Sequence, residues 1–228
     1  MNDNTPHAGH RKRLRERFLK SGLEGFHDYE TVELLLTYAI PRRDVKPLAK
    51  KLIARFGGLK GVFDAATAEL ASIEGVGKNA AILVNLIKAV SAEYLKEKAM
   101  KKDVIRSSKD VLDYLKVFLS GEKLEKFLAV YLNAKNEILS IETLQEGTID
   151  QTAVYPRKAM ERALRHNAKS VIFVHNHPSG DATPSKSDRE LTRNLNSAAK
   201  TMDIIVHDHI IIGRNTHVSC KELGWLEG

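Results

Sequence analysis

The spacing of hydrophobic and polar positions changes character near residue 100. Before that point the apolar residues recur at helical intervals. Residues 8–20 (AGHRKRLRERFLK) place Leu14, Phe18 and Leu19 on one stripe of an otherwise basic helix. Residues 28–39 predict a second helix, with Asp28 as its N-cap and Pro41 closing it. Residues 44–58 predict a third, which runs out at Gly57-Gly58. Short pieces follow, then a long helix from about Asn79 to Lys98. No two-residue alternation precedes residue 103, so the first part of the chain is expected to be all-helical.

After residue 103 the pattern mixes periods. Residues 107–119 predict a helix opened by a serine cap, and 126–144 two strands around a turn at Asn133–Asn136. A helix with proline in its first turn spans 156–167. SVIFVH (170–175) is almost wholly apolar, as a strand buried on both faces must be. Residues 185–202 predict a helix, 204–213 another apolar strand, and 216–220 a short last one. Strands alternating with helices predict a layered α/β domain. The charged run Lys96–Asp103 (KEKAMKKD) supplies a boundary, which gives domains at 1–102 and 103–228.

Composition narrows the class. A chain of 228 residues that is 43% hydrophobic and 29% charged can bury a core and is no disordered tail. No apolar run approaches the ~18 residues of a membrane span. The N-terminus is polar and basic, with no apolar signal region. Cys220 is the single cysteine, in no nucleophile pattern and expected to be buried filler; one cysteine forms no internal disulfide, and with no export signal expected a reducing cytoplasm is the expectation. The net charge of +7 is uneven. Residues 1–102 carry 19 Lys and Arg against 12 Asp and Glu, while the remainder carries 17 of each. Only the first unit is built to meet a polyanion.

In that unit, residues 70–90 (LASIEGVGKNAAILVNLIKAV) combine Gly75-Val76-Gly77 with Ala80-Ala81 and an apolar helix. They resemble the helix-hairpin-helix motif. The glycines permit a tight turn whose backbone N–H groups can hold a phosphate without reading bases, and Lys78 adds a cation. Gly75, Gly77 and Lys78 are therefore candidates for non-specific DNA contact. Such hairpins also serve as plain packing modules. No aromatic residue lies near the turn to stack on an exposed base.

The second unit carries the sharper signal, VIFVHNHPSGDATPSKSD (171–188). His175 and His177 stand two apart at a strand end, so both imidazoles point to one side. A proline- and glycine-rich loop leads to Ser185, and Asp188 follows on the first turn of the next helix. Two imidazoles and a carboxylate suit Zn²⁺ and leave a fourth position for water, the mark of a catalytic site. The spacing His-x-His-Pro-x(6)-Ser-x-x-Asp resembles the JAMM (MPN+) metalloprotease motif. The wider context, IETLQEGTIDQTAVYPRKAMERAL through HDHIIIG, is similar to the RadC-like family.

That resemblance implies a JAMM/MPN-like mixed sheet flanked by helices, with one Zn²⁺ per chain on His175, His177 and Asp188. It implies that Ser185 stabilises an oxyanion and that an upstream glutamate acts as general base on the zinc-activated water. Glu142 in SIETLQEG is the candidate, with Glu146 the alternative. On an unbroken strand the two share a face about 13 Å apart, so only one reaches the water. Ser185 three before Asp188 is also a helix-capping pattern. In HDH (207–209), strand alternation puts His207 and His209 on one face and Asp208 on the other. That places them in support of the zinc site, or in plain burial, rather than on a second metal. The expected activity is hydrolysis of a peptide or isopeptide bond in an unidentified protein or peptide substrate. The alternative is a DNA-binding accessory protein of repair or recombination with a structural or vestigial metal site. A metal-dependent nuclease lacks the acidic cluster that a Mg²⁺ pair needs, and the contiguous letters HNH at 175–177 match the nuclease motif only by accident.

Overall fold

The computed structural model describes residues 8–100, 108–147 and 154–226, which form two compact units, Met1–Val90 and Ser91–Gly228. The first is helical, as its periodicity predicts. It contains α1 (Ala8–Ser21), α2 (Asp28–Ala39), α3 (Lys46–Phe56), α4 (Leu59–Asp64), α5 (Thr67–Ala71) and the first half of α6 (Lys78–Met100). Its core gathers Val32, Leu36, Leu48, Leu52, Val62 and Leu70 with Val84 of α6. The division between units falls inside α6. Of the charged run Lys96–Asp103, the part up to Met100 is helix, and residues 101–103 lie outside the described residues, as does the serine cap expected at 107.

Helix ends in this unit are closed by charged side chains. His27, not Asp28, is the N-cap of α2, and its N–H donates to Glu30 Oε2 at 3.0 Å. Asp28 instead accepts from the N–H of Leu59 at 3.0 Å, capping α4 across the unit. Sequence spacing could not reveal that partner, which lies 31 positions away. At the other end of α2 the Arg11 guanidinium donates to the carbonyls of Thr37, Ile40 and Arg43, a cation placed where the helix dipole is negative.

The second unit contains the rest of α6, α7 (Ser108–Leu119), β1 (Lys126–Leu132), β2 (Ile138–Glu146), α8 (Pro156–Arg165), β3 (Ser170–Asn176), α9 (Lys186–Lys200), β4 (Ile205–Ile212) and β5 (His217–Ser219). The five strands lie in the order β2-β1-β3-β4-β5, with β3 and β4 parallel and every other pair antiparallel. This is the mixed sheet flanked by helices that the sequence predicts. One face buries Val130, Leu132, Ile172 and Val174 against α7 and the end of α6. The other buries Phe127, Tyr131, Val171 and Phe173 against α8 and α9. Covered on both sides, β3 has no exposed position, which is why its sequence does not alternate. Among the described residues, no helix is long and apolar enough to cross a membrane.

Two bulges interrupt the ladder and reset side-chain parity. On β2, Gln145 pairs with Phe127 and Thr143 with Leu128, so Leu144 is an extra residue. On β4, Val206 pairs with Val171 and Asp208 with Ile172, so His207 is extra. Gly213, after β4, leaves no room for a side chain. A Cβ there would stand 2.5 Å from the carbonyl oxygen of Gly180 and 2.9 Å from the amide of Ala182. Gly213→Ala should force these backbones apart and cost about 1–3 kcal/mol. Scanning calorimetry should show a lowered midpoint; an unchanged one would mean the 178–184 loop yields freely.

Candidate metal centre

β3 delivers the first ligand candidate and the chain just beyond it the second. His177 still donates its N–H to the Ile212 carbonyl (2.9 Å), so it keeps the strand geometry and its ring stays on the side of His175. The loop then turns through Pro178 and Gly180 to Ser185. Ser185 N-caps α9: its hydroxyl oxygen accepts the Asp188 N–H at 3.1 Å, and its own N–H donates to Asp188 Oδ2 at 2.7 Å. This capping box presses the Asp188 carboxylate back towards the strand end, where it is buried.

The result is a tight constellation. His175 Nε2 lies 3.0 Å from His177 Nε2 and 3.2 Å from Asp188 Oδ1, and His177 Nε2 lies 3.5 Å from Asp188 Oδ2. A tetrahedral ion with bonds near 2.0–2.1 Å holds its ligand atoms about 3.3 Å apart. The donor set fits the ion in chemistry as well. His177 Nδ1 donates to the Asp181 carbonyl at 2.8 Å, which in the neutral ring leaves Nε2 as a bare lone pair facing His175. Two imidazole nitrogens at 3.0 Å beside a buried carboxylate are a set of groups that can hold a cation between them. Burial pushes the His175 pKa down, while hydrogen bonding to Asp188 raises that of the more exposed His177. Burial acts to raise the Asp188 carboxyl, but the two imidazoles outweigh it and hold the group well below the usual carboxylate range.

A fourth group completes the cluster, and it is one that sequence reasoning missed. Glu125, just before β1, brings Oε1 to 3.6 Å from His175 Nε2, and the ligand atoms of Glu125, His175, His177 and Asp188 all lie within 4.8 Å of one another. Asn176 holds it there. The Asn176 side chain accepts from the Lys126 N–H at 2.8 Å and donates to the Leu124 carbonyl at 3.2 Å, clasping the backbone on both sides of Glu125. In sequence Glu125 sits in the charged run GEKLEK, about fifty residues upstream, and looks like a solvated turn. Only the antiparallel pairing of β1 with β3, which sets Phe127 opposite His175, brings it to the site.

Glu142 and Glu146 are not brought together with these residues. The extra residue Leu144 breaks the expected parity: Glu142 is opposite Ala129 and Glu146 opposite Lys126, three positions apart on β1, so they point to opposite faces. Glu142 lies two strands from β3, about 10 Å sideways. It accepts from Arg162 at 3.0 Å and pairs with His166 at 2.5 Å. Burial acts to raise its pKa, but His166 and Arg162 prevail and lower it. Glu146 is exposed and lies 3.8 Å from the Lys126 ammonium. The Ser185 hydroxyl donates to Asp188 Oδ2 at 2.7 Å. The two HDH histidines also separate. His207, the bulge residue, turns to Asn136 Oδ1 (2.9 Å), while His209 is fully buried beside His175. In the helical unit, Gly75 takes a left-handed φ of +92° in the turn between α5 and α6, and Lys78 opens α6. The Arg43 guanidinium lies 3.0 Å from where a Gly75 Cβ would stand.

A mixed α/β layer with a His, His, Asp and Glu cluster at the end of its central strands, preceded by a helical region, defines a JAB-type domain with a candidate metal centre. The chain belongs to the RadC-like family: residues 105–225 match the family described as RadC-like JAB domain, and residues 7–82 match the one described as UPF0758 N-terminal. It is 41% identical over 223 residues to a UPF0758 protein of Fusobacterium nucleatum, an alignment covering 95% of this chain and 96% of the relative. The family resemblance inferred from the motifs therefore holds.

Asn176 offers a test of the site's construction. Asn176→Ala frees the backbone around Glu125 without touching a ligand candidate, so divalent-metal uptake should stay within a few-fold of wild type. His177→Ala should abolish stoichiometric uptake. Elemental analysis of both purified variants checks this; full metal occupancy in His177→Ala would remove His177 from the set of ligand candidates.

Proposed function

We propose that the chain is a zinc-dependent hydrolase of the JAMM type, cleaving a peptide or isopeptide bond, with His175, His177 and Asp188 holding one Zn²⁺. Two imidazoles and a carboxylate in tetrahedral spacing are a donor set suited to zinc. When bound, Zn²⁺ lowers the pKa of a coordinated water towards ~7 and polarises the substrate carbonyl. The observation that carries the proposal is Glu125, a carboxylate clasped beside the three ligands. We assign to it the general-base role that the motif pattern alone places on Glu142. It takes the proton of the attacking water and delivers it to the leaving nitrogen as the C–N bond breaks. Ser185, by rotating its hydroxyl away from Asp188 Oδ2, donates to the oxyanion. Cys220 takes no part: it is buried and its thiol is pushed up to about 12, so no thiolate nucleophile forms near neutral pH. One free buried cysteine fits a reducing, cytoplasmic setting.

The same carboxylate also supports a second reading. As a fourth ligand, Glu125 would close the coordination shell and make the metal structural, as the DNA-binding accessory protein requires. Glu125→Gln separates the two. In the hydrolase, zinc content and thermal midpoint should stay near wild type while cleavage of a peptide or isopeptide library is lost. In the closed site, zinc affinity itself should collapse. Glu142→Gln should leave both zinc and cleavage in place.

We further infer that the helical unit contacts DNA without sequence preference. The charge excess of residues 1–102, the left-handed Gly75 turn and the Arg43 and Lys78 cations beside it support this. Full-length protein should bind duplex DNA weakly, with an affinity falling steeply as salt rises. The double variant Arg43→Glu, Lys78→Glu should bind more weakly in fluorescence anisotropy. No binding by wild type at low salt would sink the inference.

A further inference from the structure

A chain of buried hydrogen bonds leads away from the metal cluster and returns to it. His175 Nδ1 lies 2.9 Å from His209 Nε2; His209 Nδ1 lies 2.6 Å from Thr192 Oγ1; and Thr192 Oγ1 donates to the backbone carbonyl of Asp188 at 2.6 Å. His175, His209, Thr192 and Asp188 are all buried. The chain thus starts at one ligand candidate and ends on the main chain of another.

Its far end fixes the direction of every proton in it. Two oxygens 2.6 Å apart need a hydrogen between them, and a carbonyl has none to give, so the Thr192 hydroxyl proton points to Asp188. That hydroxyl has only one proton. Towards His209 it must therefore accept, which puts a hydrogen on His209 Nδ1. With that hydrogen on Nδ1, the neutral His209 ring presents Nε2 as a lone pair. Facing that lone pair, His175 Nδ1 must carry the donated hydrogen. In a neutral His175, Nε2 is then bare and directed at His177, Asp188 and Glu125. Phe127 holds the two rings in place, stacked on His175 (centroids 5.8 Å apart, planes at 17°) and edge-on to His209 (5.4 Å).

We propose that Thr192 and His209 are positioning residues that set the tautomer of His175, presenting its Nε2 lone pair to the metal, with the Asp188 carbonyl as the terminus that gives the relay its sense. The proposal rests on the reading that His175 ligates a metal. It goes beyond that reading in naming two residues outside the ligand set and in stating which nitrogen of each ring holds the proton. Reversing the relay would place a hydrogen on His175 Nε2, where the cation belongs. Losing such support for a ligating histidine typically weakens metal binding about 10–100-fold.

Two measurements on the full-length protein test it. The first is the imidazole nitrogen NMR spectrum of the metal-free wild type, in which His175 and His209 should both carry hydrogen on Nδ1. An Nδ1 without hydrogen in either ring would overturn the proposal whether or not zinc binds. The second is Zn²⁺ affinity by competition with a chromophoric chelator for Thr192→Val and Thr192→Ser. Thr192→Val removes the acceptor for His209 and should weaken binding about 10–100-fold, whereas Thr192→Ser restores the hydroxyl and should bind like wild type. Wild-type affinity in Thr192→Val would refute the relay. Should Thr192→Val not fold, the wild-type tautomers decide alone. Failure of wild type itself to take up zinc would strike the metal reading and leave the tautomer measurement standing.

Discussion

Antiparallel pairing of β1 with β3, with Phe127 opposite His175, is the constraint on which the candidate centre depends. It seats an aromatic ring against the imidazole, and it brings the residue just before β1 beside the two histidines just reached by β3. Asn176 locks this register from the other side by hydrogen bonding to Leu124 and Lys126. A slip of one residue would turn Phe127 to the opposite face and carry Glu125 away from His175, His177 and Asp188. The site is thus a property of strand register before it is a property of side chains.

The second organising device is α9. It is the crossover that makes β3 and β4 parallel, and its first turns supply three functions at once. Ser185 caps the helix, Asp188 turns its carboxylate into the cluster, and the Asp188 carbonyl takes the Thr192 hydroxyl one turn on. Helix capping and placement of the Asp188 carboxylate in the cluster are the same hydrogen bonds here. The buried Thr192 hydroxyl and both ring nitrogens of His209 are paired within this chain of hydrogen bonds, the condition under which such groups can be kept from water without a large cost.

The carboxylates of this unit are separated by environment. Glu125 is held against imidazoles in the cluster. Glu142 is neutralised by Arg162 and His166 and fastens α8 to the edge strand. Glu146 meets Lys126 on the other face. A single bulge at Leu144 decides the last two fates, because it shifts the parity of the strand between them.

What the amino-acid order determined by itself was everything local or periodic. The helical first unit, the apolar strands β3 and β4, the Asn133–Asn136 turn and the His175, His177, Ser185, Asp188 spacing all follow from contacts a few residues apart, which sequence records directly. Tertiary structure decided whatever depended on pairing between distant segments. Glu125 entered the site through β1–β3 register, and Asp28 found α4 rather than its own helix. His207 and His209 parted at a bulge, and Thr192 met His209 only because α9 lies against β4. The physical reason is the same in each case. A one-residue bulge or a choice of strand partner reverses which side chains face each other, and neither leaves a mark in the local pattern of hydrophobic and polar positions.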